Sequence, residues 1–207
     1  MKLFLATRNA GKVREMKAVL DGAGLAEEVE VVSALDYPHV TEPEETGSTF
    51  AENAHLKATY YARATGLPAL ADDSGLVVDA LDGRPGVLSS RYGRDDTERI
   101  ERLLSELAGV EEDARRSAHF ACAMALADPD GHIVAESEGR LDGVIAREPR
   151  GNHGFGYDPI FHVPELDCRL AEALPEVKNR LSHRGRALQA ILPELKRYIL
   201  IARETQP

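Results

Sequence analysis

The stretch ALADDSGL, residues 69–76, sets two carboxylates, Asp72 and Asp73, side by side where an apolar run ends. Adjacent carboxylates repel unless a cation or a proton stands between them. Leu70, Leu76, Val77 and Val78 flank the pair, so an ordinary solvated loop describes it poorly. Successive strand residues face opposite sides of a sheet. The two aspartates can therefore serve one site only if the backbone turns, and Ser74-Gly75 offers such a turn between two short strands. A hard divalent cation such as Mg²⁺ suits carboxylate oxygens, with waters and substrate phosphates completing its shell. One carboxylate could also take a proton from attacking water. The plain alternative is a strand-end turn with no ligand.

Four further stretches carry usable chemistry. In LATRNAGKVRE, a strand ending near Thr7 leads through Arg8, Asn9 and Ala10 into a helix that starts near Gly11-Lys12. Backbone N–H groups and the helix dipole there favour an anion, and Lys12 adds a charge; Asn9 could equally be a simple helix cap. It is not a P-loop, because the first glycine and the residue after the lysine are wrong. In EETGSTFAENAHLKA, Glu44 and Glu45 precede a helix on which Asn53 and Lys57, four apart, share a face. In GNHGFGYDPIF, glycines flank Phe155 and Tyr157, so the backbone can bend round a flat ligand. Phe155 could stack on a base, and Asp158 could accept hydrogen bonds from a sugar or base edge. In EVKNRLSHRG, Lys178, His183 and Arg184 gather at a helix start, able to meet phosphate or a base edge. Singly, each is as well explained by an ordinary turn, cap or basic surface. Together they supply an anion cradle, an acidic metal site, an aromatic glycine loop and a basic clamp, the parts of a nucleotide-phosphate site.

The elements that must position these residues follow from periodicity. KLFLAT and VEVVSA read as short strands, and residues 11–24 as a helix with Val13, Met16 and Leu20 on one face. Residues 48–66 form a helix with a Thr49/Glu52 capping box and Gly66 as its stop. Ile100, Leu103, Leu104 and Leu107 stripe a helix after Asp95-Asp96. Phe120, Cys122, Met124 and Leu126 alternate along one arm of a long hairpin turning at Asp128-Pro129-Asp130-Gly131. The chain closes with a helix capped by Ser182 and kinked or broken near Pro193. Strands alternating with helices, then a hairpin, indicate an α/β class with a mixed sheet.

Composition narrows the partners. The 207 residues are 43% hydrophobic, enough for a packed core, and no apolar run approaches the roughly 20 residues that span a bilayer. The start lacks a signal-peptide pattern, so the expected location is cytoplasmic, with no membrane partner. The formal net charge of −10 argues against nucleic acid. Neither Cys122 nor Cys168 has zinc-site spacing.

Five blocks in order, LATRNAGKVRE, EETGSTFAENAHLKA, ADDSGLVVDALDGRPGVLSSRYG, GFGYDPIF and KNRLSHRGRAL, closely resemble the inosine/xanthosine triphosphate pyrophosphatases. They span nearly the whole chain. The resemblance implies a single domain over residues 1–207, built on an elongated mixed β-sheet flanked by helices, with two lobes and a central cleft. It also implies a homodimer and Mg²⁺-dependent cleavage of ITP, dITP and XTP to the monophosphate and pyrophosphate. Carried over, Thr7, Arg8, Asn9, Ala10, Gly11 and Lys12 would hold the triphosphate. Asp73 would be general base and metal ligand, and Glu45 a metal ligand, with Glu44 the alternative. Asp72, also a candidate ligand, would line the reaction centre with Asn53 and Lys57, and Ser74 would touch substrate. Phe155, Gly156, Tyr157 and Asp158 would form the nucleoside wall, and Lys178, His183 and Arg184 would read the base. Arg8 stands where some members have glycine, and Asn152-His153 replaces smaller residues. The rival readings are a pyrophosphatase for other modified nucleotides and a nucleotide sensor without turnover.

Overall fold

The computed structural model describes residues 1–204. In chain order the elements are β1 (Lys2–Leu5), α1 (Ala10–Gly22), β2 (Glu30–Ser33), α2 (Phe50–Thr65), β3 (Ala69–Val78), α3 (Asp96–Glu106), β4 (Ser117–Ala127), β5 (Ile133–Ile145), β6 (Phe161–Val163), β7 (Cys168–Arg169), α4 (Pro175–Leu181) and α5 (His183–Glu204). The strands hydrogen-bond in the order β2-β1-β3-β4-β5-β6-β7. β1 runs parallel to β2 and β3, whereas β6 is antiparallel to β5 and β7. The sheet is mixed, as the alternation of elements requires. No helix among the described residues is long and apolar enough to cross a membrane.

Two compact units share these strands. The first comprises Met1–Asp73, Cys122–Gly139 and Arg184 onward; the second comprises Ser74–Ala121 and Arg140–His183. In the first unit the two sides of each strand pack different cores. Leu3, Leu5, Leu70, Cys122, Met124 and Leu126 join Met16 and Leu20 of α1 and Leu188, Ile191, Leu195 and Ile199 of α5. Phe4, Ala69, Ala71, Ala123, Ala125 and Ala127 join Ala54, Ala58, Tyr61 and Ala62 of α2. Small residues on both surfaces of this second core bring α2 close to the strands, and the Phe4 and Tyr61 rings, 5.1 Å apart and stacked, fill what remains. In the second unit, Leu103 of α3 and Leu107, the residue that follows the helix, pack with Leu76, Val78, Phe120, Leu141, Phe161 and Tyr157, and Ile100 and Leu104 flank them.

Local signals in the sequence account for several boundaries. Thr49 and Glu52 form the reciprocal capping box on α2, and Gly66 ends it in the left-handed region at φ 67°. The five-residue connection from Ala127 to Ile133 is too short for a parallel crossover, and Asp128 holds it by accepting from the Asp130 and His132 amides. Two expectations are corrected. Pro193 does not break α5, which is continuous from His183 to Glu204. Ile191, Leu195 and Ile199 are buried on both sides of it, and that packing outweighs the roughly 3 kcal/mol an interior proline costs. The strand does not break at the aspartates either: β3 runs without interruption through Asp72, Asp73 and Ser74.

Candidate active site

The unbroken β3 decides what the two aspartates do. Their carboxylates leave on opposite sides, as strand alternation demands. Asp72 is fully enclosed, and its Oδ2 accepts from Arg184 Nε at 3.1 Å and meets Lys12 Nζ at 2.9 Å. Burial alone would raise its pKa, but Lys12, Arg184 and Lys57 outweigh burial and hold the group far below the usual carboxylate range. Arg184 also donates to Glu15 through Nη1. The result is a buried cluster joining the start of α1, the middle of β3 and the start of α5.

Asp73 belongs to the α2 side. Asn53 Nδ2 donates to its Oδ2 at 3.1 Å, and Lys57 Nζ donates to its Oδ1 at 3.1 Å. The same ammonium donates to Glu45 Oε1 at 2.7 Å. Lys57 therefore lies as one positive charge between two carboxylates. The approach of α2 over its alanine face puts Asn53 and Lys57, one turn apart, within reach of β3. Burial pushes the Asp73 pKa up, Glu45 adds to that, and Lys57 opposes it without reversing it. Lys57 stays charged, because Asp73, Asp72 and Glu45 outweigh the penalty of its own burial. Of the acidic pair before α2, Glu45 reaches this ammonium while Glu44 is exposed.

The β1–α1 loop is more occupied than its sequence suggests. Asn9 is the helix cap: its Oδ1 accepts from the Gly11 and Lys12 amides at 2.8 and 3.2 Å. Thr7 Oγ1 accepts from the Asn9 amide. Arg8 donates to the Val40 carbonyl at 2.6 Å, tying this loop to the segment before α2. Ala10 opens α1 and is exposed.

In the second unit the glycine-rich loop is held from within. Asp158 is buried, and its Oδ2 accepts from the Phe155 amide at 2.9 Å and from Lys178 Nζ at 2.6 Å. The Lys178 ammonium also lies 4.8 Å from the centre of the Phe155 ring. Gly154, at φ 80°, passes so close that an added Cβ would lie 2.1 Å from Asp158 Oδ2. Tyr157 is buried and donates to the Ser89 carbonyl at 3.0 Å. Phe155 itself is half-buried. Ser182 ends α4, its amide donating to the Lys178 carbonyl, and the buried His183 ring stacks on Phe120 at 4.7 Å with an interplanar angle of 12°. Ser74, half-buried, begins this unit's share of β3.

The structure thus unites Lys12, Glu45, Asn53, Lys57, Asp72, Asp73 and Arg184 in the first unit, and Phe155, Tyr157, Asp158 and Lys178 in the second. Three participants lie inside the motif blocks yet receive no role in the motif reading. Glu15 lies three residues after Lys12, hence on the same helix face, which is a usable signal. Gly47 donates its amide to Asn53 Oδ1 at 2.7 Å. Ser89 accepts from the Leu76 amide and has no local signature. Among the described residues, Asp128, Asp130 and His132 in the β4–β5 turn are the only trio of His, Cys, Asp or Glu donors near enough to share an ion. Their placement is explained by closure of that turn.

Residues 3–194 match the sequence profile of the Ham1 family. A dITP/XTP pyrophosphatase of Gloeobacter violaceus is 54% identical over 190 residues, covering 92% of each chain. One of Streptomyces coelicolor is 51% identical over 201 residues, covering 94% of this chain and 97% of the relative. The solved structure of a HAM1 protein from Coxiella burnetii superposes with a TM-score of 0.83 at 44% identity, over 95% of this chain and 99% of that one. On profile, sequence and structure alike, the chain belongs to the Ham1 family.

Proposed function

We propose that this protein hydrolyses the nonstandard purine nucleoside triphosphates ITP, dITP and XTP between the α- and β-phosphates, with Mg²⁺, releasing the monophosphate and pyrophosphate. The observation that carries the reading is the Lys57 ammonium between Glu45 and Asp73: two carboxylates built to share one positive charge. The names of the relatives as dITP/XTP pyrophosphatases support the same reaction.

The donor set suits a hard cation. Glu45 and Asp73 offer carboxylate oxygens beside a partly open surface, and Glu45 retains 22% side-chain exposure. They would hold Mg²⁺, which when bound neutralises phosphate charge. Asp72 is spoken for by Lys12 and Arg184, so its contribution is to orient those cations. Asp73 is the base that takes the water proton, held in place by the donors Asn53 and Lys57. Lys12 Nζ, with its side chain 16% exposed, is the cation that phosphate would meet first, alongside the amides of Arg8 to Lys12. Any anion there competes with the Asn9 cap. In the second unit, Phe155 offers a ring face to a base, while Asp158 and Lys178 keep that ring's loop in shape.

Base choice follows from hydrogen-bond polarity. Hypoxanthine and xanthine present a 6-oxo acceptor where adenine presents a donor, and donors of the Ser182–Arg184 turn pair with the former. A polar mismatch of this kind discriminates by about 10⁴-fold. The family resemblance further supports a homodimer, and the net charge of −10 supports the absence of nucleic-acid partners. The test is pyrophosphate release from ITP, dITP, XTP, GTP and ATP with Mg²⁺ present or chelated. Release from the 6-oxo deaminated purines that stops on chelation is expected. Binding without release would leave a nucleotide sensor, and equal rates on ATP would remove the base-selection account.

A further inference from the structure

The glycine-rich loop has a second carboxylate upon it, from a residue outside all five motif blocks. Gly156 donates its amide to Asp96 Oδ2 at 2.7 Å, across 60 residues of chain. Asp96 is the first residue of α3, yet it does not cap the helix; Asp95 does, accepting from the Glu98 amide. Asp96 is instead held by Arg99, whose Nη1 donates to Oδ1 at 2.6 Å while its Nε donates to the Gly93 carbonyl. Each Asp96 oxygen therefore has one donor, and the carboxylate is fixed in rotation. The preceding amide, that of Phe155, is bound by Asp158. Two carboxylates consequently fix successive peptide units on either side of the Phe155 Cα. Between them they set the direction in which the ring leaves a backbone that is left-handed at Gly154 and Gly156. Glycines of that kind leave a loop free to reorient unless something holds it.

We infer that Asp96 is a positioning residue for base recognition: it aims the Phe155 ring by holding the Gly156 amide. This rests on the reading of Phe155 as the base-facing wall. Loss of the acceptor lets the ring sample other directions, so nucleotide binds more weakly in ground and transition states alike, which raises KM and leaves kcat.

Kinetics on ITP with Asp96→Leu, Asp96→Asn and Phe155→Ala test this, each variant checked for its melting temperature. Asp96→Leu is expected to raise KM about tenfold, the weight of one charge-assisted hydrogen bond, with kcat within about twofold. Asp96→Asn retains an oxygen acceptor and is expected to recover most of that loss. The chain has no tryptophan, so Phe155→Trp gives a sole indole reporter. Adding Asp96→Leu to it is expected to lower the indole's fluorescence anisotropy in the nucleotide-free protein. Unchanged anisotropy, an Asp96→Asn defect as large as that of Asp96→Leu, or parallel falls in kcat and melting temperature would each overturn the inference. An unchanged KM in Phe155→Ala defeats instead the base-wall reading, which the anisotropy does not depend on.

Discussion

Asp72 and Asp73 are neighbours on an uninterrupted strand, yet their carboxylates make direct contact with different side chains. Asp72 meets Lys12 and Arg184, while Asp73 meets Lys57 and Asn53. One strand position apart, the chain thus separates two duties. On the α1–α5 side a buried carboxylate neutralises two cations, and on the α2 side a carboxylate with a raised pKa shares its cation with Glu45.

That separation predicts opposite phenotypes for two conservative substitutions. Asp73→Asn keeps the volume and removes the proposed base, so turnover should fall about 10³-fold with little change in melting temperature. Asp72→Asn leaves Lys12 and Arg184 without their shared counter-charge in a closed environment. Its cost should be about 3 kcal/mol of stability, read as an early urea midpoint. Near-normal pyrophosphate release by Asp73→Asn, or an unshifted midpoint for Asp72→Asn, would contradict the assignment.

Features that depend on local chemistry were legible in the sequence. The Thr49/Glu52 box, the Gly66 stop, the α3 stripe and the Asn9 cap each depend on residues within a few positions of one another. The break expected at Asp72-Asp73 was wrong because the cations that make charge tolerable inside β3 come from α1, α2 and α5, up to 112 residues away. Asp158 also has an internal role that no local pattern marks, since its partner Lys178 lies 20 residues on. Ser89 and Asp96 had no local mark, because each side chain accepts from a backbone amide, that of Leu76 and of Gly156, brought to it only by the tertiary fold.

Gly154 tests the loop from its covalent geometry. At φ 80°, with Asp158 Oδ2 at 2.1 Å from where a Cβ would be, alanine there is strained twice over. Gly154→Ala should displace the Asp158–Lys178 pair and raise KM for ITP by about tenfold or more. Gly109, whose Cβ would meet nothing within 4 Å, is the control: Gly109→Ala should leave KM unaltered. Equal behaviour of the two variants would show that the loop does not depend on this contact.

Acid sensitivity of the second unit should centre on Glu106. Burial would raise its pKa, but hydrogen bonds from Tyr92, Arg102 and Arg84 outweigh burial and lower it. A carboxylate whose pKa is lower folded than unfolded contributes stability that is fully present above the unfolded value, about 4.3. That contribution is lost as pH falls through the folded value. Glu106→Gln should therefore cost about 1 kcal/mol at neutral pH, and the gap to the native protein should narrow as pH falls below the unfolded value. A gap of constant size across thermal melts from pH 7 to 3 would exclude an ionic origin.

The two thiols provide a probe of the first unit's core. Cys122 is 2% exposed, and burial, with Asp72 nearby, pushes its pKa up to about 12. Cys168 is half-buried, and its pKa is raised by a lesser burial. Since only thiolate alkylates, iodoacetamide at pH 8 should modify Cys168 in the native protein and reach Cys122 only when the core opens. Mass spectrometry over a time course separates the two sites. Asp72→Asn, which weakens the cluster packed beside Cys122, should accelerate Cys122 labelling while leaving Cys168 unchanged. If Cys122 reacts as fast as Cys168 in the native protein, the core around Asp72 is open, and the enclosure on which that aspartate's charge balance depends does not hold in solution.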